Sequence, residues 1–376
     1  MTATPTLPCR LCRHPLDIAD AVPIGPFPQA AQYYPEPDEF AGDHGVVLQI
    51  AECPCCGLTQ LLNEPVSYYK QVITAASLSP AVREQRMTQF KELRDGFHES
   101  PRALEIGCAS GENLPLLRSA GYIAHGIEFA PPPVVAPPPE GVTNRYLLDL
   151  GPEEHGTYDL LISFNYLEHQ PDARAFLHKC HALLANNGKL LLTVPNLEFL
   201  LASQSAHEFV ADHLLYFTAE TLETALRITG FTLTDRQIIN NQYDIQIIAE
   251  KRTSGAIATS KTALDSLVIR FNETLRSFTD QGKKIAVWGA GHRTLALLSL
   301  AEHHRITCII DSAKFKHYKF APISHLKILP PETLLDPACG IDVILVMVPG
   351  IYPKEVIAKI HSLPIAYQAE QFPPEV

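Results

Sequence analysis

The chain has 376 residues, 46% of them hydrophobic and 19% charged, a balance that excludes a mainly disordered protein and leaves room for two or three domains. A net charge of -11 without any run of Lys and Arg argues against nucleic acid as a general partner. The opening MTATPTLPCRLC has no apolar core of a signal peptide, and no stretch reaches the roughly 18 uninterrupted apolar residues of a membrane span, so a cytoplasmic protein with no membrane partner is expected.

Nine cysteines in such a compartment are expected to be thiols or metal ligands. Four of them form two C-x-x-C knuckles, Cys9 and Cys12 in CRLC and Cys53 and Cys56 in CPCC, each able to offer two thiolates to a tetrahedral zinc. Gly57 follows where a tight turn is expected, and GVVLQIAEC between the knuckles reads as a strand. Four thiolates leave no open coordination position, so the expected Zn2+ is structural. Reduced, unligated thiols are the alternative, and Cys55 is an ambiguous third sulfur in the second knuckle. Residues 1–75 are expected to form this small zinc-binding module.

From 79 to 97, SPAVREQRMTQFKELRDGF reads as an amphipathic helix. RALEIGCASGENLPLLRSAGYIAHGIEFA then gives a strand, a glycine turn, a helix with Leu114, Leu116 and Leu117 at apolar spacing, and a second strand ending on Glu128. This is the opening of a doubly wound α/β domain, in which ligands bind at the carboxyl ends of the strands. EIGCASG has the E/D-x-G-x-x-x-G form of S-adenosylmethionine enzymes, in which Glu105, Gly107 and Gly111 face the cofactor and glycines admit a close backbone approach. Glu128 can accept hydrogen bonds from both ribose hydroxyls. YLLDL is expected to place Asp149 at a third strand end, near the adenine amine, and YDLLISFNYLEHQPD gives a fourth strand ending near Asn165, Glu168 and His169. A helix, a turn at Asn187-Gly188 and a fifth strand complete a class I methyltransferase domain over residues 76–255.

EFVADHLLYFT sets Asp212 and His213 beside Tyr216 and Phe217. These residues fit either a catalytic base with an acidic neighbour or packing ahead of a helix that Thr218 caps, with Thr221 at the third position. From roughly residue 260 a second α/β unit follows, with KKIAVWGAGHRTLALLSLA, a strand ending in Asp311, and the buried strand IDVILVMVPG. Gly289 and Gly291 precede no third fingerprint glycine, so residues 256–376 are expected to be a Rossmann-like domain without its own dinucleotide.

Paired C-x-x-C knuckles, LEIGCASGENL, FNYLEHQPD, DHLLYF and the terminal KKIAVWGAGHRTLALL together resemble the S-adenosylmethionine-dependent sugar C-methyltransferases, over nearly the whole chain. The resemblance implies a small-molecule substrate, a nucleotide-linked keto-deoxysugar methylated at a carbon next to its ketone, with His213 as the base and Asp212 in support. It also implies that the terminal domain covers the active site and can hold the nucleotide, with His292, Arg293, Lys314 and Lys316 as sources of positive charge. Where the family reads Tyr-His-Glu-His, this chain has Val210, Ala211, Asp212 and His213. A Pro-rich run, APPPVVAPPPEG, replaces a helix after the second strand, and YYKQVITAASLS retains Ser77 and Ser79 of a serine-rich segment. Methylation of oxygen or nitrogen on another metabolite is the alternative reading.

Overall fold

The computed structural model describes residues 6–30, 34–71, 77–130, 137–253 and 255–373, in two compact units that meet in sequence at Thr253 and Ser254. Residues 131–136, half of the Pro-rich run, lie outside the described residues.

In the first unit, seven strands form one sheet in the order Phe231–Ile239, Asp244–Lys251, Leu184–Pro195, Tyr158–Phe164, Arg102–Ile106, Ile123–Glu128, Val142–Asn144. The five strands between residues 102 and 195 run parallel, and Asp244–Lys251 pairs antiparallel with both of its neighbours. The central strands are almost continuously apolar because both faces are covered, the usual signature of a buried parallel sheet. On one face Phe90, Leu93, Leu114 and Leu117 pack over Leu160 and Ile162. On the other, Phe176, Leu190, Leu192 and Phe217 form one core with Leu11, Leu48, Leu58 and Leu61 of the cysteine-bearing segment.

The first helix, Pro80–Arg94, starts where Ser79 accepts a hydrogen bond from the Val82 N–H, and proline occupies its first turn. Thr218 caps Ala219–Ile228, reciprocally with Thr221. One element differs from expectation. The third strand is Val142–Asn144, and Asp149 closes the 3-10 turn Leu147–Asp149 beyond it. Tyr146 and Leu147 are buried there, and the Asp149 N–H bonds back to the Tyr146 carbonyl, so the chain turns rather than extending the sheet.

The N-terminal strands Val22–Phe27, Val46–Glu52 and Thr59–Leu61 make a second sheet whose fourth member is Leu215–Tyr216, brought in from the far side of the sequence. The second unit has a parallel five-stranded sheet in the order Ile328–Leu329, Ile306–Ile310, Ile285–Trp288, Val343–Val346, Gln368–Gln371. Among the described residues no helix is long and apolar enough to cross a membrane.

Candidate functional site

Strand order reverses beside Arg102–Ile106, which has Ile123–Glu128 on one side and Tyr158–Phe164 on the other. In doubly wound sheets this is where ligands bind, beyond the carboxyl ends of the strands. The turn leaving Arg102–Ile106 needs left-handed backbone at Gly107 (φ 69°) and Gly111 (φ 73°), which glycine adopts without strain. A Cβ at Gly111 would also lie 2.9 Å from Val142 Cγ2. The loop is fixed by bonds from the Gly107 and Cys108 N–H groups to the Ile127 carbonyl and from the Ala109 N–H to Glu128 Oε2 at 2.9 Å. Glu105, Gly107, Gly111 and Glu128 are thus brought to one end of the sheet.

Glu105 is only 3% exposed. Asn113 Nδ2 donates to its Oε1 at 2.6 Å, while Glu105 Oε2 and Asn113 Oδ1 have no hydrogen-bond partner among the described residues. Burial pushes the Glu105 carboxyl up to about 7, against the opposing pull of the Asn113 bond and of Arg86. Buried acceptors left open in this way need a donor. A cationic amine, such as that of the methionine part of S-adenosylmethionine, fits this set.

Two further residues of interest are placed elsewhere. Asn165 follows Tyr158–Phe164 with φ 45°, and its Nδ2 donates to Asp244 Oδ1 at 2.9 Å while the Thr193 hydroxyl bonds its Oδ1. Its amide therefore ties the fourth strand to the antiparallel edge. Asp149 sits in the turn after the third strand, close enough to the buried Tyr146 to act on its hydroxyl electrostatically. Arg86 was not anticipated: its guanidinium stacks 3.5 Å from the Phe164 ring and its charge is felt by Glu105 and Asp244. The signal was present, since Arg86 shares a helical stripe with the buried Phe90 and Leu93.

A second group of side chains gathers at the end of Tyr158–Phe164. Glu168 and His169 occupy the turn Leu167–His169, and the Leu214 N–H donates to the Glu168 carbonyl at 2.8 Å. That bond delivers His213 against His169, with ring centroids 4.7 Å apart, edge to face. One carboxylate oxygen of Glu168, one His169 ring nitrogen and one His213 ring nitrogen lie within 4.8 Å of each other. Asp212 turns away: its carboxylate accepts from the Tyr68 hydroxyl at 2.7 Å, and its backbone carbonyl meets His169 Nδ1 at 3.0 Å. His213 keeps part of its surface exposed and makes no hydrogen bond through its ring among the described residues. Burial, with repulsion from His169 when that ring is charged, pushes its pKa down to about 3. The imidazole is therefore neutral across the physiological range.

The four knuckle cysteines converge. Cys9 Sγ lies 3.7 Å from Cys56 Sγ and Cys12 Sγ lies 3.5 Å from Cys53 Sγ, with all four sulfurs within 4.8 Å of each other. Two thiolates on a tetrahedral zinc at about 2.3 Å each would stand about 3.8 Å apart, so the cluster fits that ion. Hydrogen bonding with Cys56, aided by the Gln60 side chain, draws the Cys9 thiol down to about 4, toward the thiolate a metal takes. Cys55 remains exposed.

This cluster also anchors the histidine loop. Gln60, whose side chain bonds both Cys9 Sγ and the Arg10 N–H, pairs through its backbone with Leu215, two residues past His213. Arg10, inside the first knuckle, donates to the carbonyls of Leu61, Asn63 and Pro171, and Arg13 pairs with Asp172. Both arginines thereby hold the segment just beyond Glu168 and His169. Nothing in the cysteine spacing announced that role.

Residues 80–236 match the family described as methyltransferase domain, and residues 257–364 match the family described as C-methyltransferase C-terminal domain. The chain is 25% identical to the C-methyltransferase NovU of Streptomyces niveus over 361 residues, 86% of each chain. It is 31% identical over 103 residues to the ubiquinone biosynthesis O-methyltransferase of Xanthomonas axonopodis pv. citri, which covers 25% of this chain and 43% of that one. Magnesium protoporphyrin IX methyltransferase of Synechocystis PCC 6803, solved with bound SAH, is 16% identical, with a TM-score of 0.36, over 48% of this chain and 90% of its own.

Proposed function

The chain is an S-adenosylmethionine-dependent methyltransferase, and from that premise we propose that it methylates a carbon next to the ketone of a nucleotide-linked deoxysugar, with His213 removing the proton. The observation that carries this reading is the neutral, partly exposed His213 imidazole at the carboxyl end of the sheet that bears the cofactor loop. Similarity to a C-methyltransferase over 86% of the chain supports carbon as the acceptor.

In this reading Glu105 receives the amine of the cofactor, Gly107 and Gly111 clear space for it, and Glu128 holds its ribose hydroxyls. Asp149 and Asn165, in the turns that follow the third and fourth strands, are the remaining cofactor contacts of this reading. Bound S-adenosylmethionine supplies a methyl group activated on a sulfonium. A carbon beside a ketone needs a positioned base before it can attack that methyl, because its proton has a high pKa. His213 has a lone pair free to accept it, while Asp212 acts through Tyr68 and the His169 contact rather than on the His213 ring. Cys9, Cys12, Cys53 and Cys56 hold a structural Zn2+, and that thiol chemistry is why we place the protein in the reducing cytoplasm.

Mass spectrometry of products from a panel of nucleotide-linked keto-deoxysugars tests the reading. A product carrying one added methyl on carbon, together with exchange of the neighbouring proton in deuterated water, is expected. Methyl found on oxygen or nitrogen, without that exchange, would overturn it.

A further inference from the structure

Glu168 has no part in the chemistry assigned so far, yet its placement is costly. It is 1% exposed, and its Oε2 has no hydrogen-bond partner among the described residues. An ionised carboxylate in such a place, without a cation, is strongly disfavoured. The groups that surround it offer no permanent positive charge: His169 and His213 on one side, Asp244 acting on it from the antiparallel edge, and the Tyr216 hydroxyl from the strand that follows His213. Asp212 and Tyr68, bonded to each other, add one more acid and one more phenol nearby. These neighbours can share a proton, and their ligand atoms also stand close enough together to take a divalent ion, so the test separates the two. A Glu168 carboxylate oxygen and a His213 ring nitrogen lie within 4.8 Å, close enough to share a proton directly or through one water molecule.

We propose that Glu168 is a positioning residue for proton abstraction, holding jointly with His213 the proton that the imidazole takes from the substrate carbon. The proposal rests on the reading of His213 as the base. In the step, the C–H bond breaks and its electron pair stays on the substrate as an enolate, while the proton forms an N–H bond on His213. The enolate carbon then takes the methyl group, and the C–S pair returns to sulfur. The proton left on the His213 and Glu168 pair passes to solvent before the next turnover.

Electrostatics make the pair a better base than its imidazole alone. Burial pushes the Glu168 carboxyl up to about 8, whereas it pushes His213 down to about 3. When two sites share a proton, the pair binds it with the affinity of the stronger one. The base-competent state is the one in which the pair has lost its proton, so the rate of abstraction rises as pH rises through about 8. Without the carboxylate, His213 is unprotonated throughout that range and the pH profile is flat, but the base is far weaker.

The experiment measures exchange of the substrate's α-proton in deuterated water, with S-adenosylhomocysteine in place of the donor and a panel of keto-deoxysugars linked to each of the common nucleoside diphosphates as probes, from about pH 6 to about pH 9. Wild-type exchange should climb with pH, and Glu168→Gln should be slower by a factor on the order of 100 near neutrality, with a flat profile. Glu168→Asp should restore part of the slope. A Glu168→Gln variant with wild-type rate and profile, alongside a His213→Asn variant without exchange, would overturn the role of Glu168 and leave the base reading standing. No exchange in the wild type at any pH would instead overturn the base reading itself. If Glu168→Gln does not fold, histidine NMR of the wild-type full chain decides: an imidazole signal sensitive to a titration near pH 8 supports the shared proton, and its absence overturns it. A divalent ion bound by the wild type beyond one per four cysteines, and lost in Glu168→Gln, would also overturn it.

Discussion

Both units contain the same device, a parallel strand, a glycine turn and an acid at the end of the next strand that accepts from the turn, Glu128 from the Ala109 N–H and Asp311 from the Ala290 N–H, and they differ in what is left open around it. In the second unit Asp311 accepts from the Ala290 and Ala313 N–H groups and pairs with Lys316 at 2.9 Å, so its charge is met from within. Gly289 is kept for close packing, since a Cβ there would lie 2.8 Å from Val348, but Thr294 stands where a dinucleotide fingerprint carries its third glycine, and its hydroxyl bonds the Met347 carbonyl. In the first unit the strand before the turn carries Glu105 one residue before its end, and Glu105 Oε2, Asn113 Oδ1 and Glu168 Oε2 are buried acceptors without a partner among the described residues. Among the described residues the second unit also leaves a buried oxygen open, the Ser324 hydroxyl, but no carboxylate; a fold that leaves buried carboxylate oxygens open is built to receive something. The difference locates the chemistry in the first unit more firmly than the glycine motifs, which both units share.

The first unit also depends on a part the second lacks, the four-cysteine cluster, and this gives the largest expected effect. Binding energy at a closed thiolate site is folding energy, so Cys9→Ser or Cys56→Ser should lower zinc content and cost several kcal/mol in the N-terminal strands. Because Gln60 joins Cys9 to the strand Leu215–Tyr216, loss of protection should spread to the histidine loop while residues 255–373 keep theirs. Hydrogen exchange resolved by peptide checks this. Metal-free wild-type protein with an unchanged exchange pattern would break the link.

Next in size is His213→Asn, which should cut turnover by a factor on the order of 100 or more while leaving the fold and cofactor binding intact. Full turnover in this variant would reduce the imidazole to packing against His169. The contrast between the two acids is sharpened by a pair of changes. Glu128→Ala removes a charge-assisted acceptor worth roughly 1.5 to 3 kcal/mol and should weaken S-adenosylmethionine binding by a factor of about ten to about one hundred. Asp311→Ala should destabilise the second unit by about 1 to 3 kcal/mol and leave that affinity unchanged. Calorimetric titration and thermal melting of both variants distinguish them; equal losses of affinity would erase the difference argued above.

How far the sequence carried these conclusions depended on the range of each contact. The order of strands and helices was legible because each βα unit announces itself within about thirty residues, by an apolar run, a glycine turn and an amphipathic helix. The cysteine knuckles were legible for a similar reason, since metal-ligand spacing is local. YLLDL misled because its buried Tyr146 and Leu147 look like strand residues, although a carbonyl bond from Tyr146 to Asp149 closes a turn. The partnership of His213 with Glu168 could not be read at all. It depends on a single backbone bond from Leu214 and on a two-residue strand paired with the N-terminal sheet, neither of which has a sequence pattern of its own. For Asp212 the sequence left the direction of the side chain open, and the structure turns it to Tyr68.

The smallest effect expected is a pH dependence that belongs to Glu105. Burial raises its carboxyl to about 7 in the folded protein, above the ordinary 4.5. The folded state therefore holds a proton that the unfolded chain releases, so this group's contribution to stability is present below about 4.5 and is lost as pH rises toward 7, by up to about 3 kcal/mol. Glu105→Gln cannot ionise, and its stability relative to wild type should rise across that window. Cofactor binding should move the other way. A cationic amine prefers the ionised carboxylate, so wild-type affinity for S-adenosylmethionine should increase from about pH 6 to about pH 8, with proton release on binding at the lower end. In Glu105→Gln the affinity should be lower and should no longer change with pH. Titrations in two buffers of different ionisation enthalpy count the released protons. If wild type and variant show the same pH dependence, the open oxygen of Glu105 is not where the amine binds, and the first unit's claim to unsatisfied acceptors would rest on Asn113 and Glu168 alone.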